Sequence, residues 1–538
     1  MAHTSKSQSV HVGACLSLRA LCANLFVLLF LLASAAPAQV VITPNLSVYP
    51  FVVLPGSTRQ INVNITIAGV QCTAPTSQCT ANWSVFSTTG GASATFTTPA
   101  GSGVSSVSGG LATVQVNIGS TAGNCSISGS MGSYVVSSTA TVKVRAQSVD
   151  NPSQTATFLF NVCSKTTSVM VAPAYQQAYQ GQHSTLQSWI SGDTDETGMW
   201  SIVSQPSNGN GVLADTSFRD ADFVATVTGR YTLQYTSNSN SSQSATAIVY
   251  VSPNAMPSYI TTSTPNETRP HECYPDPAFT GGDYEVGTGK EYTTVTSVPA
   301  ITSWTPGTIM RIWNTDTTGS NPSTYHEYFQ IKNSGTATQP VIVCGVPDSY
   351  GNLPVLDGQN AVGQSDISNG GGAAGAGIMS LWPGPGTPYN YWQSGSAGPS
   401  YVSITGLHLR HAGNTYGYTP PAGGAQVAWS AAAACVNVRS GAYVDVSGND
   451  MDTCGNGFFS DDNSATYWWS LVTQLVTVTG NHIHGSGEAG SDSYHQVYFQ
   501  SFYGLMQGNR IDNYRSTASG SNIKWRGVEG IFRYNYLS

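Results

Sequence analysis

YVSITGLHL (residues 401–409), YVDVSGNDM (443–451), LVTVTGNHI (475–483), LMQGNRI (505–511) and IFRYNYL (531–537) are versions of one pattern. In each, alternating residues run into a Gly-Asn or similar step, and Asn449, Asn481, Asn509 and Asn535 recur at the same place. Period-two alternation is the signature of a strand. Separations of 32, 28 and 26 residues make units too small to bury a core alone, so they must stack. The pattern predicts Val444, Val446, Val476, Val478 and Ile531 pointing inward. It also predicts that each Asn sits at a tight corner, takes a left-handed backbone and bonds the Asn of the next coil. A sandwich with repeated Asn turns is the competing fold, but a sandwich has no reason to keep one motif in one register.

Two stretches upstream extend the reading. YEVGTGKEYTTVTSVPAITSWTPGTIMRIWN (284–314) carries a Pro306-Gly307 turn, and the strands from Tyr325 onward end in Asp357-Gly358. Together with the repeat, they resemble right-handed parallel β-helix proteins of the pectate-lyase-like type. The resemblance implies that residues 271–538 form such a β-helix. The repeat of the corner at Asn535, with nothing to cap the last coil, leads to the expectation that the natural chain continues past Ser538.

The rest of the chain divides ahead of that region. An apolar run from Leu25 to Leu32, preceded by Lys6 and Arg19 and ended by Ala36-Pro37-Ala38, reads as a signal peptide over residues 1–38. It falls short of the ~20 residues a membrane span needs, so no span is expected once it is removed. Residues 39–166 alternate as in QINVNITI and GGLATVQVNI, between clusters of turn residues, which predicts a β-sandwich. With Trp83 on a strand, that segment resembles bacterial immunoglobulin-like modules. Residues 167–252 repeat the theme with Trp200 and the Gly229-x-Tyr231 pair, resembling a second immunoglobulin-like or polycystic-kidney-disease-like sandwich. Pro-rich residues 253–270 read as a linker. The fold class is therefore all-β: two sandwiches followed by a parallel β-helix.

Composition narrows the function. Only 9% of residues are charged and the formal net charge is -8, so nothing attracts nucleic acid. Eight cysteines follow the signal, an even number that suggests disulfides in an exported, secreted or cell-surface protein. Their order suggests neighbouring pairs: Cys72 with Cys79, Cys125 with Cys163, Cys273 with Cys344, Cys435 with Cys454.

A second strand follows each Asn corner: GNGFFSDD, YHQVYFQS and SNIKWRGV. Aligning Phe458, Val497 and Ile523 as inward residues places Phe459, Tyr498 and Lys524 in one outward column and Asp461, Gln500 and Arg526 in another. That face could form a groove for extracellular polysaccharide. His495-Gln-Val-Tyr498 followed by Ile523-Lys-Trp-Arg526 resembles a pairing in pectate-lyase-like lyases acting on uronic acids. The resemblance implies a polysaccharide lyase working by β-elimination, which needs a base at the carbon beside the carboxylate and positive charge for the developing dianion. Lys524 would be the base, Arg526 the carboxylate clamp, and His495 or Tyr498 the proton donor, with Gln500 and Trp392 contacting substrate.

Plainer roles stand beside these. Lys524 and Arg526 on an outer face can be solubilising charge, and His495 can be a turn residue. Asp461, with Asp462, could bind Ca²⁺, the one cofactor expected, or simply form a solvated turn. His482-x-His484 places two imidazoles on one face without an evident third ligand. Glu488 and Asp492 could be the carboxylates of a glycoside hydrolase. Trp382, Tyr389, Tyr391 and Trp392 could stack on sugars or cover the end of the solenoid. The competing class is a non-catalytic adhesin or glycan-binding protein. Oligomeric state is left open.

Overall fold

A computed structural model describes residues 40–44, 51–53, 56–97, 104–108, 110–121, 123, 125–128, 135–163, 168–191, 196–260, 272–364, 367, 375–382, 399–461 and 473–538. The expected signal peptide, residues 261–270 of the expected linker, and Tyr389, Tyr391, Trp392 and Asp462 lie outside them. The described elements are strands and three short 3-10 turns, so the chain is all-β. None of its described helices is long and apolar enough to cross a membrane. The first sandwich forms one unit, while the second sandwich and a stack of parallel sheets together form another.

In the first unit, alternation along Thr58–Ile67, Leu111–Ile118, Thr141–Ser148 and Thr155–Val162 puts every second side chain inside. Ile61, Val63, Val114, Val116, Val142, Val144, Phe158 and Phe160 share one core. Trp83, on strand Thr80–Thr89 as expected, packs against Phe158 and donates its indole N–H to Ser105 Oγ at 2.8 Å. A buried indole needs such a partner.

The second sandwich has two four-stranded sheets. One runs Ser168–Ala172, Ser184–Ser191, Asp220–Val224, Val212–Ala214; the other runs Tyr175–Gln180, Ser244–Ala255, Gly229–Ser237, Gly198–Ser204. This strand order is immunoglobulin-like, with the first strand split so that Tyr175–Gln180 pairs in parallel with the last. Two side chains carry the same identification. Trp200 is buried on the strand where immunoglobulin domains keep a Trp, and Tyr231, near the start of strand Gly229–Ser237, donates its O–H to Val227 O at 2.9 Å. That back-bond matches the tyrosine corner described for immunoglobulin-like sandwiches.

The remainder winds through three sheets in rotation. Ala442–Ser447 lies in the first, Asp450–Asp452 in the second, Asn456–Asp461 in the third, and Gln474–Thr479 returns to the first. Among the described residues, neighbouring strands within each sheet pair in parallel, apart from Gly417–Thr419 with Val427–Ala428, which are antiparallel. Val444, Val446, Val476, Val478, Met451, Ile483, Phe458 and Val497 fill one interior. Ile531 departs from expectation. Counting back from each corner Asn, Val446, Val478 and Met506 align with Phe532, and Ile531 pairs with Leu505 on the outer side.

The corner Asn residues form the predicted ladder. Asn481 Oδ1 accepts the N–H of Asn449 at 2.9 Å, Asn509 Oδ1 accepts that of Asn481 at 3.0 Å, and Asn535 Oδ1 accepts that of Asn509 at 3.0 Å. The left-handed residue, however, is the one before the Asn: Gly448, Gly480 and Gly508 have φ of 63° to 64°, and Tyr534 has 56°. Glycine takes the bend at little cost, which frees the Asn to present its amide along the stack.

Three expected disulfides are present: Cys72–Cys79, Cys273–Cys344 and Cys435–Cys454. Cys163 is disulfide-bonded too, and the side chain of its expected partner Cys125 lies outside the described residues. The second sandwich covers the outer face of the first sheet. Ala172 and Trp189 pack on Leu475, Tyr503 and Leu505, and Tyr175 and Tyr250 pack on Ile309 and Ile342. The outer faces of the second and third sheets are where side chains can meet a ligand.

Candidate functional site

On the third sheet the register is the predicted one. Phe458, Val497 and Ile523 align, and so do Phe459, Tyr498 and Lys524. Trp525, between Lys524 and Arg526, points inward and stacks on Phe499 at 4.5 Å between ring centroids, which explains a large residue at that position. Lys524 and Arg526 therefore share the outer face, and both are exposed.

A ladder of rings and guanidinium groups climbs the same face. Arg439 lies 4.6 Å from the centroid of Trp382 and 5.2 Å from that of Phe459; Phe459 stacks on Tyr498 at 4.8 Å; Arg526 lies 5.5 Å over Tyr498. Each contact is a stacking or cation–π interaction worth up to about 1 kcal/mol at such sites. The ring faces look along the stack at one another, so Phe459 and Arg526 occupy the ring faces of Tyr498. Trp382 is buried at 8% exposure and belongs to the core. Gln500 continues the outer column, with its N–H donating to Ser460 Oγ at 3.0 Å.

His495 is close by but already engaged. It is buried, and its Nδ1 accepts the N–H of Ser521 at 3.1 Å with Ser521 Oγ at 3.0 Å. Burial, and then the charge of Lys524, hold its pKa below the ordinary histidine value. A depressed folded-state pKa gives stability that is present above the unfolded value of ~6.5 and lost as pH falls through the folded one. A Lys524→Ala variant should therefore raise the His495 midpoint in an NMR pH titration. An unchanged midpoint would separate the two residues electrostatically.

Asp461 borders this face, where it pairs in register with Arg439 and its backbone oxygen accepts from Thr473 Oγ1. Among the described residues it belongs to no cluster of three metal-capable side chains. Glu488 is buried; its Oε1 accepts the N–H of Asn414 at 2.8 Å and its Oε2 pairs with Arg515 at 3.4 Å. It is a structural carboxylate, while Asp492 is exposed.

The second sheet carries a constellation that motif reading missed. Its outward columns are His408, Asp450, His482, Arg510 and Asp357, Arg410, Asp452, His484, Asp512. Arg410 and His411 both reach Asp357 at 2.9 Å, and His408 Nε2 contacts Asp452 Oδ2. His482 Nδ1 and His484 Nε2 lie 3.3 Å and 3.0 Å from Asp450 Oδ1, and His482 Nε2 lies 3.0 Å from Asp512 Oδ1. Burial pushes the carboxyls of Asp357, Asp450, Asp452 and Asp512 up, but the histidine hydrogen bonds and neighbouring charges outweigh it and hold all four below the ordinary value. The hydrogen bond to Asp450 raises His482.

No protein-family model matches the sequence, and no curated protein matches it. Among solved structures, a tandem segment of titin is 9% identical, with a TM-score of 0.16, covering 40% of this chain and 66% of that one. Domains 4 and 5 of the S-layer protein SbsC are 11% identical, with a TM-score of 0.20, covering 40% and 98%. The Yersinia pseudotuberculosis adhesin InvE is 14% identical, with a TM-score of 0.14, covering 40% and 59%. The chain thus spans less than two thirds of the titin and InvE structures. Likeness of this size carries no weight for fold or activity, and the immunoglobulin-like assignment rests on strand order, Trp200 and Tyr231.

Proposed function

We propose that this is a secreted or cell-surface protein that binds acidic, uronate-bearing polysaccharide without cleaving it, on the outer face of a right-handed parallel β-helix of the pectate-lyase-like kind. Rotation of the chain through three parallel sheets and the Asn ladder support the β-helix, and crossovers between parallel strands are right-handed in nearly all proteins. Disulfides support an oxidising compartment. The observation that carries the binding reading is the exposed pair Lys524 and Arg526, standing beside an imidazole whose Nδ1 is already occupied by Ser521. Cations on a rigid strand can clamp carboxylates without any proton transfer, whereas elimination would also ask Lys524 to take a proton.

The lyase reading remains the second one, favoured by the Lys-x-Arg strand facing Tyr498. One experiment separates them: the full chain is passed over immobilised polygalacturonate and alginate, with absorbance followed at ~232 nm for unsaturated products, with and without Ca²⁺. Retention that falls with salt and drops roughly tenfold in Lys524→Ala/Arg526→Ala, without new absorbance, is the expected result, from two exposed contacts of ~0.5–1 kcal/mol each. Unsaturated products would replace binding with catalysis. Equal retention of wild type and variant would remove this face from either role.

A further inference from the structure

We propose that Asp450, His482 and His484, on adjacent coils of the second sheet, bind a divalent transition-metal ion of the Zn²⁺ class. Asp450 lies on Asp450–Asp452 and the histidines on His482–His484, strands paired in parallel with Asp450 opposite His482 and Asp452 opposite His484. The middle residues, Met451 and Ile483, are fully buried in the interior, so strand alternation turns all three ligands outward. One ligand atom from each lies within 4.8 Å of the others. Both imidazoles aim a nitrogen at the same oxygen, Asp450 Oδ1, at 3.3 and 3.0 Å. Ligand atoms bonded to Zn²⁺ at ~2.0–2.1 Å in a tetrahedron stand about 3.3 Å apart, so small adjustments would admit the ion.

The donor set selects the ion. Two imidazole nitrogens and one carboxylate oxygen suit Zn²⁺, Co²⁺, Ni²⁺ or Cu²⁺, whereas Ca²⁺ and Mg²⁺ want oxygen. The surroundings add the outer carboxylate that metal-binding histidines require. His482 Nε2 meets Asp512 Oδ1 at 3.0 Å, and Asp512 has a side chain only 3% exposed, held by Arg510 Nε and by Asn513 Nδ2 at 3.2 Å. With an ion bound, this contact would hold the hydrogen on Nε2 and leave Nδ1 as the ligand atom. The ligands are each about one-third exposed, at 27–33% of the side chain, so an ion can enter from solvent and water can take the fourth position. Bound there, the metal ties one coil to the next.

The test uses the full chain stripped with chelator and titrated with Zn²⁺, with Ca²⁺ as control. Expected are one equivalent of Zn²⁺ abolished by His482→Ala/His484→Ala, no binding of Ca²⁺ at this site, and a loss of roughly 10–100-fold in Zn²⁺ affinity in Asp512→Asn, which leaves the ligands in place. Should the double variant fail to fold, Co²⁺ added to the wild type decides: intense visible bands of a tetrahedral nitrogen–oxygen site support the assignment. A faint octahedral spectrum overturns it, as does equal Zn²⁺ binding by wild type and a folded double variant.

Discussion

Replacing Asn481 with Ala should destabilise the parallel stack by about 3–5 kcal/mol, because it strips several buried groups of their partners at once. Asn481 is fully buried. Its Oδ1 accepts from the N–H and the Nδ2 of Asn449, at 2.9 and 3.1 Å, and its Nδ2 donates to Val446 O, Thr479 O and Asn509 Oδ1. Alanine supplies none of these, and no water reaches a sealed corner to replace them. Each orphaned buried group costs ~1–3 kcal/mol. Asn535→Ala should cost less, since Asn535 is half-buried; its Oδ1 accepts from Asn509 and its Nδ2 donates to Met506 O and Arg533 O. Chemical denaturation of both variants checks the order. A cost below ~1 kcal/mol for Asn481 would mean the ladder contributes little to stability.

That ladder also shows what a sequence can carry. The recurrent Asn was legible because one residue type repeats in one register, and so was the column Phe459, Tyr498, Lys524, since it follows from the same alternation. The left-handed corner was placed one residue late because Asn and Gly both favour that backbone, and the neighbour decides which of them takes it. Ile531 departs from the pattern because the last unit begins on an outer position, with Phe532 in register with the inward Met506. The second-sheet constellation escaped for another reason. Read alone, His482-x-His484 lacks a third ligand, since Asp450 stands a whole coil away in sequence. Counting from each corner Asn reveals it: Asp450, His482 and Arg510 come one residue after, Asp452, His484 and Asp512 three after. Side-chain pairing, such as the engagement of His495 with Ser521, has no such periodic signal.

A second large effect is expected where the second sandwich meets the stack. Asp276 is a carboxylate with 1% of its side chain exposed, accepting the Tyr175 hydroxyl at 2.9 Å, Arg230 Nε at 2.8 Å and the N–H of Ala278 at 2.9 Å. Tyr175 and Arg230 belong to the sandwich, and Arg230 also donates to Thr338 O in the stack. Burial first, and the Asp276 charge next, push the Tyr175 hydroxyl well above its ordinary pKa, so it stays a neutral donor. Asp276→Ala leaves a guanidinium and a buried phenol without their acceptor, and breaking one side of such a pair costs about 3–5 kcal/mol. Asp276→Asn keeps an acceptor and should cost less. Beside it Gln177 exchanges hydrogen bonds with the backbone of Tyr274, while Trp189 Nε1–H to Glu529 O at 3.0 Å and Arg533 with Asp220 at 3.0 Å lie at the other end of the junction. Loss of Asp276 should therefore open one end of the junction, splitting off an earlier unfolding transition in calorimetry and exposing Tyr175 to hydrogen exchange. A single transition at the wild-type temperature would show instead that apolar packing of Tyr175, Ile248, Ile309 and Ile342 holds the junction without its polar clasp.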